Sequence, residues 1–373
     1  MKADVGAGRR VAYVARHDGS DMRVSKECNS LLAAGFDVTY IGWDRAPGRD
    51  RPDPMPRVPK ALYRRETGFG GGAGRSGGLG FLAHLRRELR RARPHVVHCV
   101  NEDLAFVAAC LRPPGRYRLV CDVFDSIALR WSSAPAPVAF AARAVARAAH
   151  AASDVILVTD EARRARLGKH AAKAHVVANY PVDPGRELAF ALPPADGPVR
   201  LYVAGSLTAG RGLETVAALL EEDAGIEVVC AGWVYDEPAQ RFVELPGVSF
   251  HGTLTPDASL RLAAGCDAIV ALYAPVNENN RMASPNKVYD ALCVGRPVII
   301  NAETGISAWV AEVGAGFVVP YGDVAALRDV VARLRERRAR AAEEAGRLRE
   351  LFETGYSWTV AEQAMLAAYP SAR

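Results

Sequence analysis

The sequence contains no hydrophobic run long enough to cross a membrane, since no stretch of about 18 or more apolar residues occurs in it. The opening segment, MKADVGAGRRVAYVA, also lacks the apolar core of a secretory signal peptide. We therefore expect a cytoplasmic protein that is neither secreted nor inserted into a bilayer.

Paired cysteines and metal-binding motifs are missing as well. The seven cysteines are odd in number and form neither a Cys-x-x-Cys motif nor a cluster with histidine. We expect reduced core residues, with no disulfide and no zinc site. No Asp-x-Asp sequence occurs either, so we expect no bound metal ion of that kind, and we expect no resident cofactor. The cysteines occupy positions 28, 99, 110, 121, 230, 266 and 293.

A strong charge imbalance is also absent, because 47 Lys and Arg stand against 42 Asp and Glu, a net charge of +5. This mild excess suits anionic small molecules or an acidic membrane surface. No nucleic-acid-binding motif accompanies the basic residues, so we expect no nucleic-acid partner. The basic run HLRRELRRAR (84–93) favours a solvated helix face, with peripheral membrane contact as the alternative.

Short runs rich in β-branched residues alternate with helix-like segments, which is typical of parallel sheets covered on both faces. At 373 residues the chain exceeds one typical core, and a linker-like stretch at 179–198 interrupts the pattern before it restarts. We predict two doubly wound α/β domains. The predicted strands are 10–15, 37–42, 61–65, 95–100, 118–124, 154–159, 199–205, 226–232, 248–252, 267–273, 297–302 and 316–320.

The segment 44–80 has the weakest pattern, because APGRDRPDPMPRVP and GFGGGAGRSGGLG are rich in Pro, Gly and Arg. We predict loops in both stretches and expect the second to be mobile. The last helix-like segment, GYSWTVAEQAMLAAYP (355–370), has no partner element near it in sequence.

One segment of the second half has features of a phosphate site. In YVAGSLTAGRGLETVAALL (202–220), a strand leads through a glycine-containing turn to Arg211 at the start of a helix. Free amides and a guanidinium at that place suit a phosphate. The alternative is an ordinary turn with a solvated arginine, because such turns are weak signals alone.

A second segment, SPNKVYDALCVGRPVII (284–300), predicts a helix that feeds a buried strand. Ser284 and Pro285 suit the N-cap and the first helical position. Lys287 and Asp290 are three residues apart and fall on nearly the same face. The lysine suits a phosphate and the carboxylate a ribose diol; the alternative is a surface ion pair worth under about 1 kcal/mol.

With these segments the chain resembles the retaining glycosyltransferases of family 4, which have the GT-B fold. The resemblance covers nearly the whole chain and is most specific at SPNKVYDALCVGRPVI, similar to the family's s.pnKlfEamA.G.PVI. DMRVSKECNSLLAAGFDVTYIG, PHVVHCVNEDLA and SFHGTLTPDASLRLAAGCDAIVALY are similar to further family stretches. The resemblance implies two Rossmann-like domains facing a cleft, 1–180 with 355–373 and 181–354, the last helix crossing back to the N-terminal domain.

The resemblance also implies a donor site in the C-terminal domain. Arg211 takes the place of the residue that binds the donor's pyrophosphate, with Lys287 as a second candidate for that charge. Asp290 stands where the family has a ribose-binding glutamate, and backbone near Gly252 and Thr253 would meet the nucleobase. Residues 279–284 would lie beside the transferred sugar. The other donor-binding candidates are Gly19, Ser206, Met282, Ala283, Ser284 and Asn286.

This chain departs from the family pattern at several positions. Met282 stands where many relatives carry an acidic residue that holds sugar hydroxyls. The side chains of Glu278, Asn279 and Asn280 lie nearby in sequence and are candidate substitutes for that acid. Ser206 replaces a frequent phosphate-binding arginine. Phe124 stands where relatives often have a cleft histidine, which draws attention to the adjacent Asp125.

Polar residues after two N-domain strands complete the candidates. Gly19 and Asp21 follow the first strand and are expected to face the cleft, with helix capping as the alternative for Asp21. His17 could equally bind a substrate or belong to a polar loop. The acceptor-binding candidates are Asp21, His98, Asn101 and Asp125.

We therefore expect transfer of a sugar from a UDP- or GDP-type nucleotide sugar to a hydroxyl acceptor with retention at the anomeric carbon, in glycan, glycolipid or natural-product biosynthesis. The catalytic candidates are Arg211 and Lys287, which would stabilise the leaving diphosphate, and Asp125, which could assist the acceptor. Two alternatives stay open: a nucleotide-sugar epimerase of the same fold, and a catalytically silent partner subunit.

Overall fold

The computed structural model describes residues 8–47, 53–66, 74–113, 115–194 and 196–369, and at 74–77 the backbone alone. The chain divides into two compact units. The first comprises Met1–Asn179 with Ala361–Arg373, and the second comprises Tyr180–Val360.

The first unit is built on a parallel sheet of seven strands: β1 (Arg10–Val14), β2 (Asp37–Asp44), β3 (Lys60–Arg64), β4 (Val96–Val100), β5 (Arg118–Val123), β6 (Val155–Val158) and β7 (Ala174–Val176). Their order across the sheet is β3-β2-β1-β4-β5-β6-β7. The helices of this unit are α1 (Met22–Ala33), α2 (Gly74–Ala92), α3 (Glu102–Leu111), α4 (Ile127–Arg130), α5 (Ala136–Ala152) and α6 (Glu161–Arg166).

The second unit has a parallel sheet of six strands: β8 (Val199–Leu207), β9 (Ile226–Val234), β10 (Val248–Phe250), β11 (Ala268–Ala271), β12 (Val298–Asn301) and β13 (Gly316–Val319). Their order is β10-β9-β8-β11-β12-β13. The helices are α7 (Leu213–Glu222), α8 (Glu237–Val243), α9 (Pro256–Ala264), α10 (Glu278–Arg281), α11 (Asn286–Cys293), α12 (Ser307–Glu312), α13 (Val324–Arg337) and α14 (Ala341–Gly355).

The last helix, α15 (Trp358–Ala368), begins in the second unit, and from Ala361 onward the chain belongs to the first. Tyr369, just after this helix, is buried, and its ring packs edge-on against Phe36 at 5.4 Å between centroids. These contacts supply the partner that the last segment lacks in sequence.

The predicted strands are all present, with ends that differ by a residue or two. The short strand β7 was missed, because three residues of mixed exposure carry no pattern. The loop predicted at 68–80 is wrong from Gly74 onward, where α2 begins; residues 67–73 lie outside the described residues. The apolar stripe of α2, including Phe81 and Leu85, is buried, and such packing outweighs the low helix propensity of glycine.

Alternate residues of β8 and β9 face two different helix layers. Leu207 and Val234 pack in one core with residues of α7, α8 and α13. Tyr202 and Ala231 pack in the other core with residues of α9 and α11. None of the helices in the described ranges has both the length and the apolar composition that a bilayer crossing requires.

Candidate active site

The second unit reverses its strand order between β8 and β11, which lie side by side. Loops after two such strands diverge and leave a crevice, the usual position of ligands in open α/β sheets. The loop after β8 carries Arg211, and Tyr273 follows β11. The guanidinium carbon of Arg211 lies 4.0 Å from the centroid of the Tyr273 ring. The structure therefore places the predicted phosphate-binding arginine at the switch point of this sheet.

The loop after β8 is fixed from both sides. Asp236, the N-cap of α8, accepts hydrogen bonds from the hydroxyl of Thr208 and from the amide of Ala209, the second at 2.8 Å. On the other side, the Ala274 amide donates to the carbonyl oxygen of Gly210 at 2.8 Å. A side chain on this loop therefore needs little further ordering when a ligand binds.

The start of α7 requires a glycine. Gly212 has a φ of 73°, in the left-handed region, and a Cβ there would lie 2.5 Å from the Cβ of Leu272. Because the N-cap residue is this glycine, it brings no capping side chain to the first amides of α7, which lie beside Arg211. A helix start of this kind favours an anion.

One nitrogen of Arg211 distinguishes this residue from an ordinary solvated arginine. Its Nη1 is buried and has no hydrogen-bond partner among the described residues. Buried polar atoms in folded proteins nearly always have a partner, because leaving one unpaired costs free energy. At the edge of a crevice, the missing partner is best supplied by a ligand, and a phosphate oxygen is the acceptor that a guanidinium binds most strongly.

Helix α11 begins one residue later than predicted. Its N-cap is Pro285, which has no capping side chain, and Ser284 Oγ instead lies 3.0 Å from the hydroxyl of Tyr289. The predicted serine cap is therefore wrong, because this hydroxyl is engaged one residue before the helix starts. The consequence is a second helix start without a side-chain cap, at Asn286.

Lys287 and Asp290 face each other on α11. Lys287 Nζ lies 2.6 Å from Asp290 Oδ2, and only 19% and 17% of the two side chains are exposed, so this is not an exposed surface pair. Burial disfavours the charge on Lys287, but Asp290, and more weakly Tyr202 and Tyr273, outweigh burial and raise the pKa of Lys287. The ammonium is thus held charged, with further protons to donate.

A residue that sequence reasoning missed, Asn301, supports the contact between Arg211 and Tyr273. Asn301, buried at the end of β12, accepts from the amide of Tyr273 at 2.7 Å and donates to the carbonyl oxygen of Tyr273 at 3.1 Å. It therefore fixes the backbone that carries the ring under Arg211. The signal in the sequence is an amide at the end of the otherwise apolar strand VIIN.

Three donor-binding candidates lie along the same edge of the sheet. Ser206 is exposed near the end of β8 and is in register with Trp233 on β9. Gly252 and the exposed Thr253 follow β10. The Gly252 carbonyl oxygen accepts a hydrogen bond from the Gly232 amide at 2.8 Å, which ties this turn to β9.

The segment around Met282 forms one helical turn. Met282, half-buried, ends α10, and the Ala283 amide donates to the carbonyl oxygen of Asn280 at 3.1 Å. Asn280 Nδ2 also donates to the carbonyl oxygen of Ala274 at 2.8 Å. This candidate substitute for the missing acid therefore already has a structural task.

In the first unit the strand order reverses between β1 and β4. After β4, Asn101 adopts a φ of 66°, and its Oδ1 accepts from the amides of Phe124 and Asp125 at 2.9 and 3.1 Å. Asn101 thus ties the ends of β4 and β5 together. The next residue, Glu102, strengthens the tie by accepting from the Ile127 amide at 3.1 Å. Asp125 is exposed at this edge, where an acceptor could reach it.

The predicted acceptor contact at His98 is wrong. His98 is 0% exposed, and its Nδ1 lies 2.7 Å from the hydroxyl of Tyr369, while Nε2 lies 3.3 Å from Asp122 Oδ2. Its ring also stacks on Tyr13, with 4.2 Å between centroids. A strand covered on both faces buries both sets of its side chains, so a polar residue within it needs partners inside the protein.

A buried charged cluster surrounds His98. Arg23 donates to Asp122 Oδ1 at 2.9 Å, and its Nε lies 2.8 Å from Glu27 Oε1. Burial, together with Asp122 and against the pull of Arg23, raises the pKa of Glu27 to about 7. Oxygen and nitrogen atoms of Glu27, His98 and Asp122 lie within 4.8 Å of one another, as metal ligands would. Because Arg23 pairs with both carboxyl groups, and because Glu27 holds a proton below about pH 7, we assign no metal to them.

The loop after β1 is largely structural. Asp21 caps α1, since its Oδ1 accepts hydrogen bonds from the amides of Arg23 and Val24 at 2.9 and 3.1 Å. The structure therefore supports helix capping, the alternative to substrate binding, for Asp21. Gly19 is buried with a φ of 94°, and a Cβ there would lie 2.4 Å from Met55 Cε. Its packing is against protein, so the structure gives no support to a donor contact at Gly19.

His17 differs from its neighbours in this loop. Its Nδ1 accepts from the Gly19 amide at 3.1 Å, which puts the proton of the neutral ring on Nε2. Burial lowers the pKa of His17 and keeps the ring neutral. Nε2 is buried and has no hydrogen-bond partner among the described residues. His17 is therefore a donor that a substrate oxygen could satisfy.

Comparison with known proteins identifies the fold. Residues 18–180 match the glycosyl transferase 4-like domain, and residues 200–337 match the glycosyl transferases group 1. Sucrose-phosphate synthase from Thermosynechococcus elongatus superimposes with a TM-score of 0.72 at 17% identity, over 97% of this chain and 98% of that chain. Among curated protein sequences, none matches this chain.

Two further solved structures are similar over nearly the whole chain. Anabaena HepE in complex with UDP-glucose has a TM-score of 0.71 at 12% identity, with 96% of this chain and 98% of that chain covered. WaaG, a glycosyltransferase involved in lipopolysaccharide biosynthesis, has a TM-score of 0.67 at 15% identity, with 96% and 99% covered.

Two Rossmann-like units with such neighbours have the GT-B fold, as the sequence led us to expect. The chain belongs to the family 4-like glycosyltransferases, whose two domain models match 18–180 and 200–337. It is a glycosyltransferase, and the site that the second unit assembles can be interpreted in those terms.

Proposed function

We propose that this chain transfers a sugar from a UDP- or GDP-type nucleotide sugar to a hydroxyl acceptor, with retention at the anomeric carbon. The observation that carries the proposal is the buried Nη1 of Arg211 at the switch point of the second sheet, which has no hydrogen-bond partner in the part of the chain that the structure describes. Lys287, held charged on α11, adds a second cation. HepE, a structural neighbour, is described in complex with UDP-glucose, which supports a donor of this kind.

The diphosphate of the donor would bind to Arg211, Lys287 and the uncapped starts of α7 and α11. Asp290 accepts a hydrogen bond from Lys287 at Oδ2. Its other oxygen, Oδ1, would accept a hydrogen bond from a hydroxyl of the donor ribose. The lysine can hold both Asp290 and a phosphate oxygen, because an ammonium has three protons to donate. Further donor contacts are assigned to Ser206, Gly252, Thr253, Met282, Ala283, Ser284 and Asn286.

Negative charge develops on the diphosphate as the bond from the sugar to its phosphate oxygen breaks. Cations and amides that are already in place stabilise this charge without reorganising at the moment of reaction. The acceptor hydroxyl forms the new bond to the anomeric carbon and gives its proton to the departing phosphate or to Asp125. The proposal needs no metal ion and no resident cofactor.

A catalytically silent partner subunit is the second candidate, and Met282 favours it. A thioether is only a weak acceptor, so it is a poor substitute for the acid that accepts hydrogen bonds from sugar hydroxyls there in many relatives. Asn280, a nearby substitute, already donates to the backbone of Ala274.

The test is to incubate the purified chain with a panel of UDP- and GDP-sugars, with and without cell extract as a source of acceptors. Release of nucleoside diphosphate and a product of unchanged anomeric configuration, determined by NMR, would support the enzyme. Nucleotide binding without turnover in every combination would favour the silent subunit. If no nucleotide sugar or nucleoside diphosphate binds, both interpretations are wrong.

A further inference from the structure

Two large aromatic side chains at the end of β9 are exposed. Trp233 is 53% exposed and Tyr235 is 59% exposed, whereas Cys230 and Ala231, earlier in the same strand, are buried. Exposed apolar surface rimmed by polar groups often marks a ligand-binding groove. Neither residue was a candidate from the sequence.

The pairing of β8 with β9 shows which side Trp233 faces. Trp233 is in register with Ser206, and the next pair, Leu207 and Val234, packs into the core formed with α7, α8 and α13. Side chains alternate along a strand, so Trp233 and Ser206 face the opposite layer, which contains α9 and α11. Trp233 therefore lies on the same side of the sheet as Lys287.

The order of strands gives the spacing along the edge. From one side to the other, the edge carries Gly252 after β10, Trp233 on β9, Arg211 after β8 and Tyr273 after β11. Neighbouring strands are about 4.8 Å apart, so Trp233 lies roughly one to two strand spacings from the cation at the switch point. A nucleoside diphosphate has a flat base at one end and phosphates at the other, and it fits this arrangement.

The strand that carries Trp233 is rigidly held. Gly232 has a φ of 140°, and a Cβ there would lie 1.9 Å from the carbonyl oxygen of Gly205, so the two strands approach closely. The Gly232 amide donates to Gly252 at 2.8 Å, and the Tyr235 amide donates to Leu207 at 3.0 Å. Trp233 is thus fixed between two backbone anchors.

We propose that Trp233, with Tyr235 two positions further on, is the stacking platform for the nucleobase of the donor. This inference rests on the proposed function and adds the part of the site that holds the base. Stacking on an indole tolerates any base, since every base has a π face. Discrimination between bases falls instead to the polar backbone of Gly252 and Thr253, which is tied to the residue before Trp233.

The experiment measures binding of UDP, GDP and inorganic pyrophosphate to the full chain by calorimetry. In Trp233→Ala we expect the affinity for UDP and GDP to fall about tenfold or more, while pyrophosphate binds as it does to the wild type. Trp233→Phe keeps an aromatic face and should retain most of the affinity. Trp131→Ala is the matched control, because Trp131 is 49% exposed but lies in the first unit.

The outcomes separate this inference from the proposed function. If UDP and GDP bind equally well to the wild type and to Trp233→Ala, the platform is refuted while the proposed function stands. The same conclusion follows if Trp233→Ala and Trp131→Ala weaken binding alike. If the wild type binds neither a nucleotide nor pyrophosphate, the proposed function fails, and the platform fails with it.

Discussion

Arg211→Ala is the substitution that most directly probes the candidate donor site. The guanidinium packs on the ring of Tyr273, and one of its nitrogens is buried with no hydrogen-bond partner in the described ranges. We expect that nitrogen to bind a phosphate oxygen of the ligand. Alanine removes both the charge and the donors, while the loop itself stays anchored through Asp236.

The size of the effect follows from these contacts. A hydrogen bond to a charged group contributes about 1.5–3 kcal/mol, which corresponds to a loss of roughly ten- to a hundredfold in affinity for UDP. Uridine, which lacks phosphates, should bind Arg211→Ala as it binds the wild type. The free energy of unfolding should fall by no more than about 1 kcal/mol, because the loss of the cation–π contact is offset by the removal of a buried, unpaired nitrogen. Lys287→Ala should weaken UDP binding by a similar factor.

Calorimetry with UDP and uridine, combined with urea unfolding, measures all of these quantities. Arg328→Ala is the control, because Arg328 is half-exposed on α13 and pairs with Glu222 at 2.9 Å. It removes one positive charge from the same unit without touching the site. Normal UDP binding by both Arg211→Ala and Lys287→Ala would refute our assignment of the phosphate site.

Two further substitutions test the supports of the two units. Asn301→Ala should lower the free energy of unfolding by about 1–3 kcal/mol, measured by urea unfolding, and weaken UDP binding, because the backbone of Tyr273 loses two partners. Folding raises the pKa of Glu27 from 4.5 to about 7, so between pH 4.5 and pH 7 the folded state holds a proton that the unfolded state does not. This difference stabilises the folded state at low pH, and the stabilisation is lost as the pH rises through 7. Between pH 5 and 8, the free energy of unfolding should therefore drop less in Glu27→Gln than in the wild type; equal drops would contradict this protonation.

Strand positions were readable from the sequence because buried parallel strands are short apolar runs between helical patterns. The beginning of α2 was not readable, since glycines dominate its local composition and only the packing of Phe81 and Leu85 on the sheet decides it. The cap of α11 was misassigned because a serine before a proline suits an N-cap, and only the structure shows that Tyr289 engages that serine. Spacing within one segment could suggest the Lys287–Asp290 pair, but not the distant Asn301 that supports Tyr273.

The polar residues at the carboxyl ends of the strands fall into two kinds that a sequence cannot distinguish. His98, Asn101 and Asn301 have partners inside their own unit, so their polarity is explained by the fold. Arg211 and His17 each keep one buried nitrogen without a partner among the described residues. A fold that leaves such an atom unpaired is less stable for it, unless a ligand completes the hydrogen bond. Among these five residues, an unpaired nitrogen therefore separates Arg211 and His17, which we expect to meet substrate, from the three that hold the sheets together.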